Sequence, residues 1–263
     1  MSDLTIVVTG ASRGLGAAAA RAAGELGANV ALVARSAEDL QAVARDVRAA
    51  GGQALALPGD VGRPEDCDRV IAETVERFGG IDALANNAGI LEPMGPVAEA
   101  EAESWERNWR VNVLGPLMMT RAALPHLRRQ KGRVINVSSG AAESAVPGWG
   151  AYCVSKAAVT HLSRMIAAEE PDVTAISFRP GVVDTEMQAV IRRDGAEGMP
   201  GEVYERFVRY HRYGELLPPA VPGCALAVLA FFAPPKWSGA FLSWDDEQVQ
   251  SLVRRYACSG GRS

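Results

Sequence analysis

The 263-residue chain has little of what metal sites, disulfide scaffolds and phosphate-backbone binders are made of. Its four cysteines, Cys67, Cys153, Cys224 and Cys258, form no CxxC pair and have no histidines at ligand spacing. Reduced thiols, no disulfide framework and no metal are therefore expected. A net charge of -4 provides no basic field to gather nucleic acid. No apolar run is long: residues 224–233 fall short of the roughly 20 needed to cross a bilayer. The N-terminus lacks a basic flank followed by an apolar signal region, so a cytoplasmic protein with no membrane role is expected. Asn136-Val137-Ser138 spells a glycosylation sequon, but it lies in an apolar run that reads as a buried strand, so no glycan is expected.

Hydrophobic residues make up 48% of the chain and charged ones 22%, ordinary for a folded globular domain. Short apolar runs at 5–9, 29–34, 54–57, 83–86, 133–138 and 174–178 alternate with longer amphipathic segments. Crossovers of that length are what parallel strands need, and continuous Val/Ile/Leu/Ala content suits strands covered on both faces. The reading is α/β, a Rossmann-type doubly wound parallel sheet in a single domain over 1–258, with residues 259–263 a frayed tail. Residues 186–220 break the rhythm; 192–219 in particular are polar and aromatic-bearing and read as a helical insertion or lid. A helix over 221–232 and a last strand around 240–244 complete the expected chain.

After the first run stands Thr9-Gly10-Ala11-Ser12-Arg13-Gly14-Leu15-Gly16, leading into an alanine-rich helix. Glycines let the backbone turn and approach a pyrophosphate, while the helix offers unpaired N–H groups and a positive dipole end. Gly10, Ser12, Arg13, Gly14, Leu15 and Gly16 are the candidate contacts. The second run ends in Ala34-Arg35, where an NAD-binding Rossmann domain places an acidic residue on the ribose. Without that carboxylate, and with Arg13 and Arg35 at hand, NADP(H) is the expected cofactor.

Lysine is scarce, three residues (Lys131, Lys156, Lys236) against twenty-four arginines, yet Lys156 stands four residues after Tyr152. On a helix both project from one face. A phenol near pKa ~10 is a sluggish acid-base group at neutral pH, and an adjacent ammonium favours its phenolate. Tyr152 with Lys156 is therefore a candidate proton-transfer pair.

The TGxxxGxG turn and this pair are similar to those of the short-chain dehydrogenase/reductase family. The resemblance implies Ser139, thirteen residues before Tyr152, as the hydroxyl holding the substrate oxygen, with Ser138 its bland neighbour, and Asn112 as the holder of a water in a relay to the lysine. It implies cofactor contacts from Asp60 and Val61 to adenine, from Asn87, Ala88 and Gly89, whose segment also supports the sheet, near the adenosine ribose, and from Pro180, Gly181, Val183 and Thr185 around the nicotinamide. Stretches around Tyr152, Glu169-Glu170-Pro171 and 180–188 look like those of sepiapterin reductases and fungal benzil reductases. That narrower likeness implies a ketone or diketone substrate, with Ser139, Trp149, Met187, Tyr204 and Asp246 as candidate contacts; Asp245 leaves the register of the last open.

Met199, Phe207, Tyr210 and Tyr213 add apolar bulk to the lid, whereas Trp105 and Trp109 read as core or interface. The family implies a homodimer or homotetramer. Other carbonyl substrates of such enzymes (a ketoacyl thioester, a polyol, a steroid) stay open on these motifs, as does an NADPH-sensing regulator without turnover, which the intact Ser139, Tyr152 and Lys156 disfavour.

Overall fold

The computed structural model describes residues 4–256, so Cys258 and the tail at 259–263 lie outside the described residues. Seven strands, β1 (Thr5–Thr9), β2 (Asn29–Ala34), β3 (Gln53–Pro58), β4 (Ala83–Asn86), β5 (Arg133–Val137), β6 (Thr174–Arg179) and β7 (Phe241–Ser243), form one sheet in the order β3-β2-β1-β4-β5-β6-β7. All of its pairings are parallel. The order reverses between β1 and β4, and doubly wound sheets bind ligands in the crevice beyond that switch point.

The helices that return the chain are α1 (Gly14–Glu25), α2 (Ala37–Ala49), α3 (Pro64–Phe78), α4 (Ala102–Trp109), α5 (Gly115–Gln130), α6 (Gly150–Glu169), α7 (Glu186–Gly198), α8 (Gly201–Arg212), α9 (Ala220–Phe232) and α10 (Glu247–Tyr256). Alternate strand residues feed opposite faces, as a period of two requires. Ile6, Val8, Val30 and Leu32 pack with α1, α2 and α9, whereas Val7, Ala31 and Val33 pack with α3 and α5. Expected strand bounds move by no more than one residue at either end; the last strand stops at Ser243, and Trp244 O beyond it accepts from Gln250 of α10. Asn136 is fully buried in β5, its amide bonded to Asn86 and Ser163, so the sequon is inaccessible. None of the described helices is long and apolar enough to cross a membrane.

The irregular segment at 186–220 is two helices, α7 and α8. Its ends meet: Asp184 N donates to Leu217 O (2.9 Å), and Leu217 N donates to Val182 O (2.8 Å). A third apolar cluster lies beneath these helices, formed by Leu91, Ala141, Trp149, Tyr152, Ile191, Met199 and Phe207. Trp105 and Trp109 sit apart from it, on an outer groove shared with Leu114, Ala151 and Val154.

Candidate active site

The glycine turn follows β1 directly. Gly10 has φ +64°, and a Cβ at Gly16 would stand 2.3 Å from Gly10 O and 2.5 Å from Asn87 Nδ2. Hydrogen at that position lets the turn close upon itself. Arg13 precedes α1 with extended backbone and no side-chain cap, and the first helical turn has no acidic residue, so the leading N–H groups are free to meet an anion. These residues fit a dinucleotide's pyrophosphate. Thr185 leans over the turn, its methyl 3.0 Å from where a Cβ on Gly14 would be.

Asn87 Nδ2 donates to Thr9 O (2.9 Å) and Gly10 O (3.2 Å), while Thr9 Oγ1 accepts from the backbone N–H of Asn87 and of Ala88 (3.0 Å each). Asn87 thus ties β4 to the glycine turn, giving the sheet support expected of this segment a definite partner, the overlooked Thr9. Ala11 N donates to Val33 O (3.1 Å), bringing the turn that carries Arg13 beside the end of β2 that carries Arg35. Both arginines are exposed and no carboxylate precedes them on β2. Asp60 shapes the loop after β3 by accepting from Gly62 N (2.8 Å), and Val61 is buried. Gly181, with φ +80°, lies where a Cβ would strike Leu217 and the Trp244 indole nitrogen, so Trp244 borders this side unannounced by any motif. Pro180 is half-buried beside it and Val183 is buried.

On the far side of the switch point, α6 carries Tyr152 and Lys156, which are 7% and 4% exposed. Lys156 Nζ donates to Val137 O at 2.7 Å and lies 5.5 Å from the Tyr152 ring centroid. The strand alternation separates the two serines: Ser138 Oγ turns to α6, 2.6 Å from Thr160 Oγ1, whereas Ser139 Oγ accepts from Ala141 N (3.2 Å) and lies near enough to the Tyr152 phenol to favour its ionised form. Asn112 lies in a π-helical turn between α4 and α5, a widened geometry common at functional sites. Its Nδ2 donates to Ile90 O (2.8 Å), Asn108 Oδ1 (3.0 Å) and Ser155 Oγ (3.0 Å); its Oδ1 accepts from Ile90 N (2.9 Å). A Cβ on Gly89 would lie 3.3 Å from Asn112 Oδ1 and 3.5 Å from Lys156 Nζ, so these two atoms face each other across that glycine. Ser139, Tyr152, Lys156 and Asn112 thus converge.

Of the candidate substrate contacts, Trp149 meets the Tyr152 ring edge-on (centroids 5.7 Å) and stacks on Phe207 of α8 (4.7 Å, 29°). Its indole N–H points to Met199 Sδ at 3.2 Å. Met187 and Tyr204 border the same cluster, Tyr204 donating its hydroxyl to Arg192 O (2.9 Å). Asp246 lies in the turn between β7 and α10, one carboxylate oxygen accepting from Ser243 N (2.8 Å), and Asp245 accepts from Ser243 Oγ.

The electrostatics differ from the sequence expectation in one respect. Burial pushes the Tyr152 phenol up from 10.0 to about 12, opposed in part by the neighbouring Ser139 hydroxyl, and it pulls the Lys156 amine down from 10.5 to about 8. The lysine was expected to lower the tyrosine; here its Nζ is directed at Val137 O, and desolvation outweighs it. A pH signature follows by linkage. Between about 8 and 10.5 the unfolded chain holds the Lys156 proton that the folded one has released, so stability rises with pH across that window. Tyr152 acts oppositely: from 10.0 to about 12 the folded state holds the extra proton, and stability falls. The thermal midpoint of the cofactor-free protein should therefore climb from pH 8 to 10 relative to Lys156→Met, and parallel curves for the two proteins would refute the depressed lysine.

Comparison with known proteins agrees with this geometry. Residues 4–196 match the family model described as short chain dehydrogenase. An uncharacterised oxidoreductase of Schizosaccharomyces pombe is 36% identical over 92% of this chain and 97% of its own. The benzil reductase ((S)-benzoin forming) of Saccharomyces cerevisiae is 34% identical over 93% and 97%. The crystal structure of a short-chain dehydrogenase/reductase from Saccharomyces cerevisiae superposes with a TM-score of 0.90 at 33% identity, covering 95% of this chain and 99% of that one. With its parallel sheet, its glycine turn and its Ser-Tyr-Lys side chains brought together, the chain belongs to the short-chain dehydrogenase family of oxidoreductases, which act between CH–OH and C=O groups.

Proposed function

We propose that the protein is an NADPH-dependent reductase of bulky aryl ketones or diketones, benzil-like or sepiapterin-like. The observation that carries this reading is the aromatic wall over the acid-base residue: Trp149 edge-on to Tyr152 and face-on to Phe207. Flat rings in offset stacks add about 0.5–1.5 kcal/mol beyond area burial, a preference a small aliphatic substrate could not use. The benzil reductase of Saccharomyces cerevisiae among the relatives supports the same substrate class.

The N–H groups of the Gly10–Gly16 turn hold the pyrophosphate, Arg13 and Arg35 take a 2′-phosphate, and Asp60, Val61, Asn87, Ala88 and Gly89 border the adenosine. Pro180, Gly181, Val183 and Thr185 enclose the nicotinamide, which when bound supplies the hydride. Ser139 Oγ holds the substrate oxygen and Tyr152 Oη delivers the proton to it. Lys156 binds the nicotinamide ribose, and Asn112 supports proton resupply. Trp149, Met187 and Tyr204 receive the substrate's rings, with the Asp246 carboxylate as a polar contact at the margin. Removing Phe207 from the Trp149 face, by movement of α7 and α8, admits the substrate.

The test is loss of nicotinamide absorbance with NADPH or NADH and, in parallel, benzil, sepiapterin and a ketoacyl thioester. Benzil or sepiapterin should turn over fastest, and with NADPH. Arg35→Asp should raise KM for NADPH about tenfold, from loss of a charge-assisted contact and added repulsion, while leaving NADH little changed. Preference for the thioester would discard the aryl reading, and tight NADPH binding without any turnover would favour a sensor.

A further inference from the structure

Asn108 carries no family motif, yet it is fully buried four residues before Asn112, on the same helical face. Its Nδ2 points at three successive carbonyl oxygens, those of Ile90 (3.2 Å), Leu91 (3.3 Å) and Glu92 (2.8 Å). Three acceptors on one side settle which end of the amide is nitrogen, so Oδ1 must face the other way, where it accepts from Asn112 Nδ2 at 3.0 Å. Ser155 closes the same circuit: it accepts from Asn112 Nδ2 (3.0 Å) and donates to Tyr152 O (3.0 Å).

Asn112 is thereby held with its nitrogen toward Asn108 and Ser155 and its oxygen toward Ile90 N and the Lys156 side of Gly89. Ile90 also reads the amide, but residues 90–92 lie outside every strand of the sheet, and their three carbonyls are anchored by Asn108. If Asn108 let go, both the segment and the carboxamide would lose their reference, and a flipped Asn112 would set its NH2 against a backbone N–H and an ammonium.

We propose that Asn108 is a positioning residue that locks the Asn112 carboxamide oxygen toward Lys156, and that its effect on turnover passes through Asn112. This rests on the reading of Asn112, Tyr152 and Lys156 given above.

Two measurements test it. The first follows the lysine 13Cε resonances of the cofactor-free protein against pH, a tractable spectrum because the chain has only three lysines. Tyr152, whose ring lies 5.5 Å from Lys156 Nζ, is the titratable side chain facing it and is kept intact. In Asn108→Leu, loss of the aligned oxygen should move the Lys156 midpoint down by about half a unit. The second is a cycle of Asn108→Leu, Asn112→Ala and the double variant. Asn108→Leu alone should lower kcat about tenfold with KM nearly unchanged, and should add nothing to Asn112→Ala. If the leucine does not fold, Asn108→Ser leaves space for a water to satisfy the carbonyls and removes the same reach to Asn112. A stationary Lys156 midpoint, or kcat losses that multiply in the double variant, would overturn the proposal. Full turnover by Asn112→Ala would instead show that the catalytic reading beneath it is wrong, and Asn108 would fall with it.

Discussion

Tyr152→Phe is expected to cut carbonyl reduction by about 10²–10⁴-fold, the usual worth of a positioned acid-base group, while the protein still folds and still binds NADPH. The substitution keeps the ring, and with it the edge contact to Trp149 at 5.7 Å and the place of Lys156 Nζ beside the ring. What disappears is one hydroxyl beside Ser139. Ser139 keeps its bond from Ala141 N, so no new buried donor is stranded, and the stability cost should stay near ~1 kcal/mol. Steady-state rates, nucleotide fluorescence titration and a thermal melt separate the three quantities. Turnover within tenfold of the parent would place the proton donor elsewhere.

A second large effect is expected at the glycine turn. In Gly16→Ala the new methyl would stand 2.3 Å from Gly10 O and 2.5 Å from Asn87 Nδ2. Neither neighbour is a loose side-chain end: one is backbone, the other an amide tied to Thr9 O and Gly10 O. The turn must open and the tie between β1 and β4 must lengthen. A loss of about 3 kcal/mol is expected from overpacking, which for a domain of this size lowers the melting temperature by about 6–12 °C. NADPH affinity should fall at least tenfold, since the same carbonyls and N–H groups define the pyrophosphate cradle (~1.4 kcal/mol per factor of ten). Gly201→Ala is the control: like Gly16 it is a helical glycine without positive φ, but nothing lies within 4 Å of its Cβ position. If both variants lose equally, close approach is not the reason for Gly16.

The parallel sheet was legible because its strands are short, apolar and separated by helix-length crossovers, and that pattern has few solutions. Tyr152 and Lys156 were legible for a different reason, a rare lysine at helical spacing from a tyrosine. Less accessible were properties that depend on what packs above a residue. That Tyr152 becomes a weaker acid, not a stronger one, follows from burial in a cluster completed by Met199, in the turn between α7 and α8, and Phe207 of α8, about fifty residues downstream. Asn87 read as a cofactor neighbour, yet its amide serves the glycine turn, because β1 and β4 become adjacent only once the sheet is assembled. Asn108 gave one faint signal, a second asparagine four residues before Asn112, and its meaning needed the three carbonyls of residues 90–92, which no periodicity describes. The aromatic positions of the lid were visible as composition, but which of them reaches Trp149 was not.

The joined ends of the lid bear on how such a protein changes over time. Because Val182, Asp184 and Leu217 already meet through backbone hydrogen bonds, the thirty-odd residues between them are, for the rest of the chain, a closed loop. Loop-closure entropy grows only logarithmically, by about 0.6 kcal/mol for each doubling of length. Such a loop can be lengthened, shortened or rewritten with little penalty to the sheet that carries the reacting groups. The lid's share of the proposed aromatic wall, Phe207 with its helices, is thus an exchangeable cassette, and a new specificity could be acquired by replacing it while Trp149 and the Ser139, Tyr152 and Lys156 side chains below are inherited unchanged.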